Sequence, residues 1–240
     1  MRPLGYGHTC AQCHTPKVIM RRLHHLPLSP FSRKVRLVLA EKRIEVELIE
    51  EKPWERRMEF MLLNAASQVP VLQIDGLTLS DSGAICEYLD ETVPEPKLLP
   101  DSPAERAEAR RLASWFDDKF HHEVTVNLLY ERVTKKLKKS GYPESSKIRE
   151  GVSNIKFHID YLDWLTDQRS WLAGDKLTIA DFSAAAQLSC LDYVGDVDWG
   201  RSANVKDWYA RIKSRPAFRA ILADAVPGMP PPPHYADLDF

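Results

Sequence analysis

Three short stretches carry residue types that bind or activate a small ligand. Ser29-Pro30-Phe31-Ser32 stands where a short apolar strand gives way to a helix. A helix N-terminus offers free N–H groups and positive dipole character, so it stabilises an anion such as a thiolate. A serine hydroxyl there can donate to that anion, or it can simply cap the helix, the ordinary task of serine at such a place. Val69-Pro70 opens a later strand. Proline is tolerated at a strand start, and a cis bond there would expose the Val69 N–H and C=O to an extended ligand. Asp81-Ser82 follows a hairpin directly. The pair can meet the ammonium and carboxylate of a ligand, or cap the helix that begins at Ser82.

These residues need a frame, and the pattern of the chain supplies one. Leu23–Leu26 reads as a short strand, and Phe31–Arg43 as an amphipathic helix with Val35, Leu37, Val38 and Leu39 among charges. Ile44–Ile49 alternates apolar and acidic residues, as a half-buried strand does. Val69–Ile74 and Leu77–Leu79 flank Asp75-Gly76, a preferred hairpin dipeptide. Ser82–Glu91 reads as a helix, giving the order β-α-β-α-β-β-α. Beyond it the pattern is all helix. Leu112, Trp115, Phe116, Phe120, Val124 and Leu128 share one long helix; Ile148, Val152, Ile155, Ile159 and Leu162 share the next. Leu177-Thr178-Ile179-Ala180-Asp181 has the form of a hydrophobic staple and capping box. Val205–Ser214 and Ala217–Ala223 complete the bundle.

Proline clusters divide the chain, because proline breaks helices and cannot donate to a ladder. They mark a leader (1–20), a first domain (21–93), a linker (94–102), a second domain (103–222) and a tail (223–240). Lys plus Arg is 33 against 34 Asp plus Glu, which argues against a general nucleic-acid binder. No apolar run is long enough for a membrane span, and the first 20 residues lack a signal-peptide core, so a cytoplasmic protein without membrane insertion is expected. Cys10, Cys13, Cys86 and Cys190 read as reduced thiols. Cys10-Ala-Gln-Cys13-His14 matches a haem-attachment pattern, but that chemistry needs export. Neither it nor the His24-His25 and His121-His122 pairs supply a convincing metal-ligand set.

Several of these motifs, in this order, resemble a cytosolic glutathione transferase. The resemblance rests on the β-α-β-α-β-β-α order, Gln68-Val69-Pro70-Val71-Leu72, Asp81-Ser82-Gly83-Ala84-Ile85, the Thr178–Asp181 box and Arg215-Pro216-Ala217. It covers roughly residues 21–222. It implies an α+β protein, with a thioredoxin-like N-terminal domain, an all-α C-terminal bundle and a homodimer. It also implies a glutathione site in which Ser29 is the catalytic residue, Val69 and Pro70 grip the cysteinyl backbone, Asp81 and Ser82 hold the γ-glutamyl end, and Arg56 meets the glycyl carboxylate. The chain departs from the family at Asn64-Ala65-Ala66-Ser67, without the usual Pro and Gly, and it has no tyrosine or cysteine at the activating position. Glutathione is therefore a possible ligand of a protein that leans away from catalysis.

The basic stretch Leu26–Arg36, Pro53-Trp54-Glu55-Arg56-Arg57 and the tail resemble a branch of that family that binds FtsZ filaments in bacterial cell division. This implies a dimeric scaffold at the division site, with FtsZ as partner and further division proteins held by the tail. Arg33, Lys34 and Arg36, with Lys42 and Arg43, form one basic bunch; Arg132, Lys135, Lys136, Lys138 and Lys139 form another. Such bunches can steer an acidic partner, or can be solvated helix faces. Trp54 is a hot-spot candidate or a partly buried cover for the sheet. Pro230–Pro233 favours an extended spacer, which would project Tyr235, Leu238 and Phe240 as a recognition motif.

Overall fold

The computed structural model describes residues 21–238. The leader and Phe240 lie outside the described residues. Strands β1 (Arg22–His25), β2 (Glu47–Glu50), β3 (Val71–Ile74) and β4 (Leu77–Ser80) form one sheet in the order β2-β1-β3-β4. β1 is parallel to β2 and antiparallel to β3, which is antiparallel to β4. Leu23 faces Leu48 on one side and Leu72 on the other. The central strands bury Leu23, Val71 and Leu72, while edge residues Leu48 and Leu77 stay exposed. The half-buried strand expected over 44–49 is shorter and more exposed, because β2 is an edge. The hairpin turns at Asp75-Gly76, both at positive φ (51° and 85°), as a tight primed turn requires.

α1 (Pro30–Glu41), α2 (Met58–Leu63) and α3 (Ser82–Thr92) complete the first unit. The helical unit begins with α4 (Pro103–Ser114), which runs unbroken through a π-wound segment (Trp115–Thr134) into α5 (Lys135–Lys138). The Lys135 N–H donates to the Tyr130 carbonyl, five residues back. Buried Phe116, Phe120, Val124 and Leu128 recur every four residues. On a 3.6-residue turn that spacing drifts by about 40° per step; wider winding counters the drift and keeps the row facing the core. α6 (Ser145–Gln168) lies against this segment, and a Cβ at Gly151 would meet Leu128 Cγ at 2.7 Å, so glycine sets the approach.

α7 (Ile179–Tyr193) is buried along its whole length, and α8 (Ala203–Lys213) and α9 (Arg219–Leu222) cover it and α1. Its capping box forms as the sequence predicts. Asp181 does more than cap. Its carboxylate accepts from the backbone N–H of Thr178 (2.9 Å) and Leu172 (2.9 Å) and from Trp208 Nε1 (3.0 Å), stitching the helix start to a loop and to α8. The linker is also fixed. Leu98 and Leu99 are buried, Asp90 accepts both their amides (2.8 and 2.9 Å), and buried Lys42 donates to the carbonyls of Val93 and Pro96.

The basic surface expected on α1 is not there. Arg33, Lys34 and Arg36 are 0%, 2% and 8% exposed. α1 reads as amphipathic because only one face can lie on the sheet, but α7 packs on its charged face and removes that face from water too. Each charge is paired, as burial demands. Lys34 Nζ lies 2.5 Å from Asp117. Arg33 donates to Pro27 O (2.7 Å), Ser189 Oγ (3.0 Å) and Asp224 (3.1 Å). Arg36 donates to both oxygens of Asp224 (2.9 Å each) and to Ala220 O (3.0 Å). These residues clamp the two units together and are not a docking surface.

The projecting tail is likewise corrected. The chain turns back at Val226–Met229, where Gly228 takes φ 73° and the Met229 N–H donates to Val226 O. Tyr193 OH accepts from the Val226 N–H and donates to Met229 O (2.8 Å each). His234 Nε2 lies 3.1 Å from the buried Asp192 carboxylate, and Lys213 Nζ donates to His234 O. Tyr235 is fully buried, edge-on to Tyr193, with its hydroxyl donating to Ile221 O (3.1 Å). Polar and aromatic groups of α7 and α8 hold the extended prolines down; of the expected motif's described residues, Leu238, 41% exposed, alone matches the expected presentation.

Burial also sets an acid sensitivity. His25 is held to a pKa of about 4, by burial first and then by Arg36, with Asp224 opposing. An unfolded histidine takes its proton near pH 6.5. The folded pKa is the lower one, so this contribution is present above about pH 6.5 and is lost as pH falls toward 4, amounting to roughly 3 kcal/mol at most. Urea midpoints measured from pH 7 to pH 4 should fall steadily. They should fall less in His25→Leu, which gives up a ring whose Nδ1 has no partner among the described residues.

Candidate functional site

A cleft of about 650 Å³ opens where β3, β4 and α3 face α4 and the π-wound segment. That is within the range of small-ligand sites, and such sites favour the seam between two units. Val69 and Pro70 border it just before β3, with the Val69-Pro70 bond cis. Asp81 and Ser82 enter from the start of α3. Asp81 stands at φ 72°, and its Oδ1 accepts from the N–H groups of Gly83 (2.8 Å) and Ala84 (3.0 Å). A Cβ at Gly83 would come within 3.1 Å of that oxygen, so glycine permits the close cap. The helix-cap reading of Asp81 is therefore realised, while its Oδ2 makes no bond within the described residues.

The opposite wall is charged. Asp117 holds Lys34 and accepts from Ser183 Oγ at 3.4 Å. Burial pushes the Asp117 carboxyl up from its ordinary value, Lys34 pulls it back, and the Asp81 carboxylate raises it again. Arg110 is fixed by a two-pronged bond to Glu87 (2.7 and 2.9 Å). Asp118, at the exposed edge, lies 3.2 Å from His122. Glu87, Arg110, Asp117 and Asp118 escaped sequence reasoning, since on a helix each reads as an ordinary solvated charge. Cys86 borders the same cleft, but burial pushes its thiol up to about 12; Cys190 is likewise pushed up to about 11. Neither is a reactive thiolate near neutral pH.

Two expected members stand apart. Ser29 caps α1, its Oγ accepting from the Ser32 N–H at 3.3 Å, and does not border the cleft. Exposed Arg56 takes φ 48° at the end of the turn Pro53–Glu55 and is also outside the lining. Trp54 is half-buried and borders a second cavity of about 350 Å³, with Leu129, Val133, Leu137 and Val226 on its other walls. Among the described residues no group of three or more side chains forms a metal-ligand set, and no helix is long and apolar enough to cross a membrane.

Comparison with known proteins bears on both the fold and the cleft. The N-terminal domain of glutathione S-transferases matches residues 23–97, and the C-terminal domain matches residues 118–224. The chain is 46% identical to FtsZ-localized protein A of Caulobacter vibrioides, over 92% of this chain and 99% of that one. It is 31% identical to the maleylacetoacetate isomerase of Pseudomonas aeruginosa, over 84% and 95%. Among solved structures, a glutathione S-transferase from Rhodospirillum rubrum superposes with a TM-score of 0.90 at 51% identity, covering 92% of this chain and all of that one. FzlA from C. crescentus superposes equally well, with a TM-score of 0.90 at 46% identity and the same coverage. With both domains matched in order, the four-stranded mixed sheet, the helical unit and the cleft between them have one consistent reading: the chain belongs to the glutathione S-transferase family.

Proposed function

We propose that this protein is a scaffold of bacterial cell division, which binds FtsZ filaments and organises them as a homodimer at the division site. The observation that carries the proposal is the similarity to FtsZ-localized protein A, which runs through nearly the whole of both chains. The contact surface centres on Trp54, half-buried at the mouth of the second cavity; Leu137, on another wall, belongs to the stretch that carries the exposed Lys136, Lys138 and Lys139. A large aromatic ring, with exposed lysines on a helix that borders the same cavity, suits an acidic partner. Two copies in a dimer would bridge protomers by avidity. A further division partner would meet the tail at the exposed Leu238 and not at Tyr235, which is interior.

Co-sedimentation with FtsZ polymers tests the proposal. The purified protein should pellet with filaments at modest salt, and failure to do so would overturn it. Trp54→Ala should weaken pelleting by about tenfold or more, the scale of an interface hot spot. Its thermal midpoint should change little.

A glutathione transferase is the second reading, favoured by the convergence of Val69, Pro70, Asp81 and Ser82 on one cleft. Glutathione brings two carboxylates, an ammonium and a thiol. Asp81 suits the ammonium. The carboxylates fare worse, because both lining cations, Lys34 and Arg110, are already bound to carboxylates. Ser29 and Arg56, the residues expected at the thiol and the glycyl end, lie outside the lining. The fit is partial, and it favours the scaffold.

A further inference from the structure

One end of the helical unit carries a charge that the composition hides. The chain as a whole is close to neutral, with a formal net charge of -1. Over residues 135–149, however, Lys135, Lys136, Lys138, Lys139, Lys147 and Arg149 stand against a single acid, Glu144. This stretch is the turn from α5 into α6, so its cations share one end of the bundle. The fold compensates part of that charge. Lys135 is held by Glu131 and Glu144 (2.7 Å each), and Lys147 lies 3.1 Å from Glu150. Lys136 has a neutral acceptor, Gly228 O at 3.1 Å, and Lys138 lies 5.5 Å from the centre of the Tyr130 ring. Lys139 and Arg149 are exposed, and neither forms an ion pair among the described residues. We propose that this end of the molecule docks on an anionic lipid surface, with Tyr142 seated at the level of the headgroups. The inference goes beyond the scaffold reading and does not depend on it.

Three features point to a membrane. First, the tip is bare. Every residue over 138–147 is exposed, and Tyr142 is 92% exposed. A ring so far out of the fold adds nothing to the core. Tyrosine suits a membrane interface, where its ring meets the apolar boundary and its hydroxyl meets the headgroups. Second, the tip is fixed. Lys139 (φ 52°) and Gly141 (φ 120°) reverse the chain, and the Glu144 N–H donates to Glu131 at 2.7 Å. Lys135 bridges the Glu131 and Glu144 carboxylates, which ties the π-wound segment to the start of α6. A loop held in this way loses little freedom on docking. Third, Lys136, Lys138, Lys139 and Arg149 keep their charge free of any carboxylate partner among the described residues. Four such cations fall within the range of basic clusters that anionic headgroups attract, at about fivefold in affinity for each. An acidic protein would need a carboxylate matched to each cation and a pocket for the ring, whereas a lipid surface meets cations and ring together as a plane. The contact is peripheral, because no helix among the described residues is long and apolar enough to cross a membrane.

Co-sedimentation of the full chain with phosphatidylglycerol-containing vesicles tests this, set against vesicles of phosphatidylcholine alone, with poly-glutamate and duplex DNA as competitors. The protein should pellet with the anionic vesicles, more weakly as salt is added, and should stay in solution with the neutral ones. Lys138→Gln with Lys139→Gln should weaken binding about 25-fold, fivefold for each charge. Tyr142→Ser should also weaken it, but with the salt dependence of the parent, because it removes no charge. All three positions are exposed, so the urea midpoints of these variants should match that of the parent. Equal pelleting with the two kinds of vesicle would overturn the proposal. So would anionic binding unchanged in either the lysine pair or Tyr142→Ser. Release from the vesicles by poly-glutamate or DNA, at charge concentrations below that of the lipid, would overturn it as well, by assigning the tip to an acidic protein or a nucleic acid. Tyr142→Ser and Arg149→Gln should leave FtsZ co-sedimentation unchanged, and Trp54→Ala should leave vesicle binding unchanged, so this proposal and the scaffold reading fail separately.

Discussion

Asp224→Ala is expected to destabilise the protein by about 3–5 kcal/mol, the cost of removing one partner from a buried charge cluster. The carboxylate receives Arg36 through both of its oxygens and Arg33 through one. Deleting it leaves two guanidinium groups, 0% and 8% exposed, without this carboxylate, though Pro27 O, Ser189 Oγ and Ala220 O still accept from them. Neither guanidinium can shed its proton to escape, since arginine stays charged in proteins. The loss should appear as a lower urea midpoint. Because the cluster joins α1 to α7 and to the segment after α9, docking of the two units should loosen before their cores melt. Amide exchange would show this as early loss of protection at the α1–α7 seam. A midpoint within 1 kcal/mol of the parent would mean the cluster contributes little. Arg33→Met with Arg36→Leu and Asp224→Leu should recover much of the loss, because apolar replacement of a whole buried ion cluster is often tolerated.

Tyr235→Ala is expected to cost a similar amount, about 3–5 kcal/mol, as for other large aromatic residues cut from a core. The ring is fully buried and packs edge-on against Tyr193, with a hydroxyl that satisfies Ile221 O. Tyr235→Phe should cost only about 1 kcal/mol, the share of one hydrogen bond. Removing Met229–Phe240 altogether should therefore damage the fold as well as any partner contact, by stripping Tyr193, Asp192 and Lys213 of their tail partners. Leu238→Ser provides the clean comparison. It should leave the urea midpoint within about 0.5 kcal/mol, as for ordinary surface changes, and alter only a partner interaction. A tail deletion as stable as the parent would mean that the strap is held loosely.

The Asp224 and Tyr235 predictions rest on the two places where reading the chain as a string went wrong, and the errors share a cause. Arg33, Lys34 and Arg36 were expected in water because helix periodicity reports how a helix divides its faces between one apolar layer and everything else. It carries no information on a second layer arriving from elsewhere. The partner of Arg36 is 188 residues away, and that same Asp224 falls in the stretch (223–240) that reads as a tail. Tyr235 was expected in solvent because a proline run is stiff and extended, which holds locally; the groove that receives it is made by α7 and α9. The cleft was half legible. Val69, Pro70, Asp81 and Ser82 fall beside breaks between elements, where sequence signals are strongest. Glu87, Arg110, Asp117 and Asp118 sit inside helices, where a charge has no local signature of its neighbours.

The sequence by itself determined what short-range physics decides. Asp75-Gly76 specified the hairpin, Asp81 and the Thr178–Asp181 box specified two helix starts, and helical spacing specified the long helices. Together with the motif order these were enough to reach the family. Only the tertiary structure decided which charges are spent inside and which remain for a ligand or partner. That outcome depends on pairs such as Lys34–Asp117, Arg36–Asp224 and Arg110–Glu87, formed between elements far apart in the chain. A charge keeps its pull on an outside partner only while no carboxylate or cation within the fold has already taken it, and packing alone settles which have been taken.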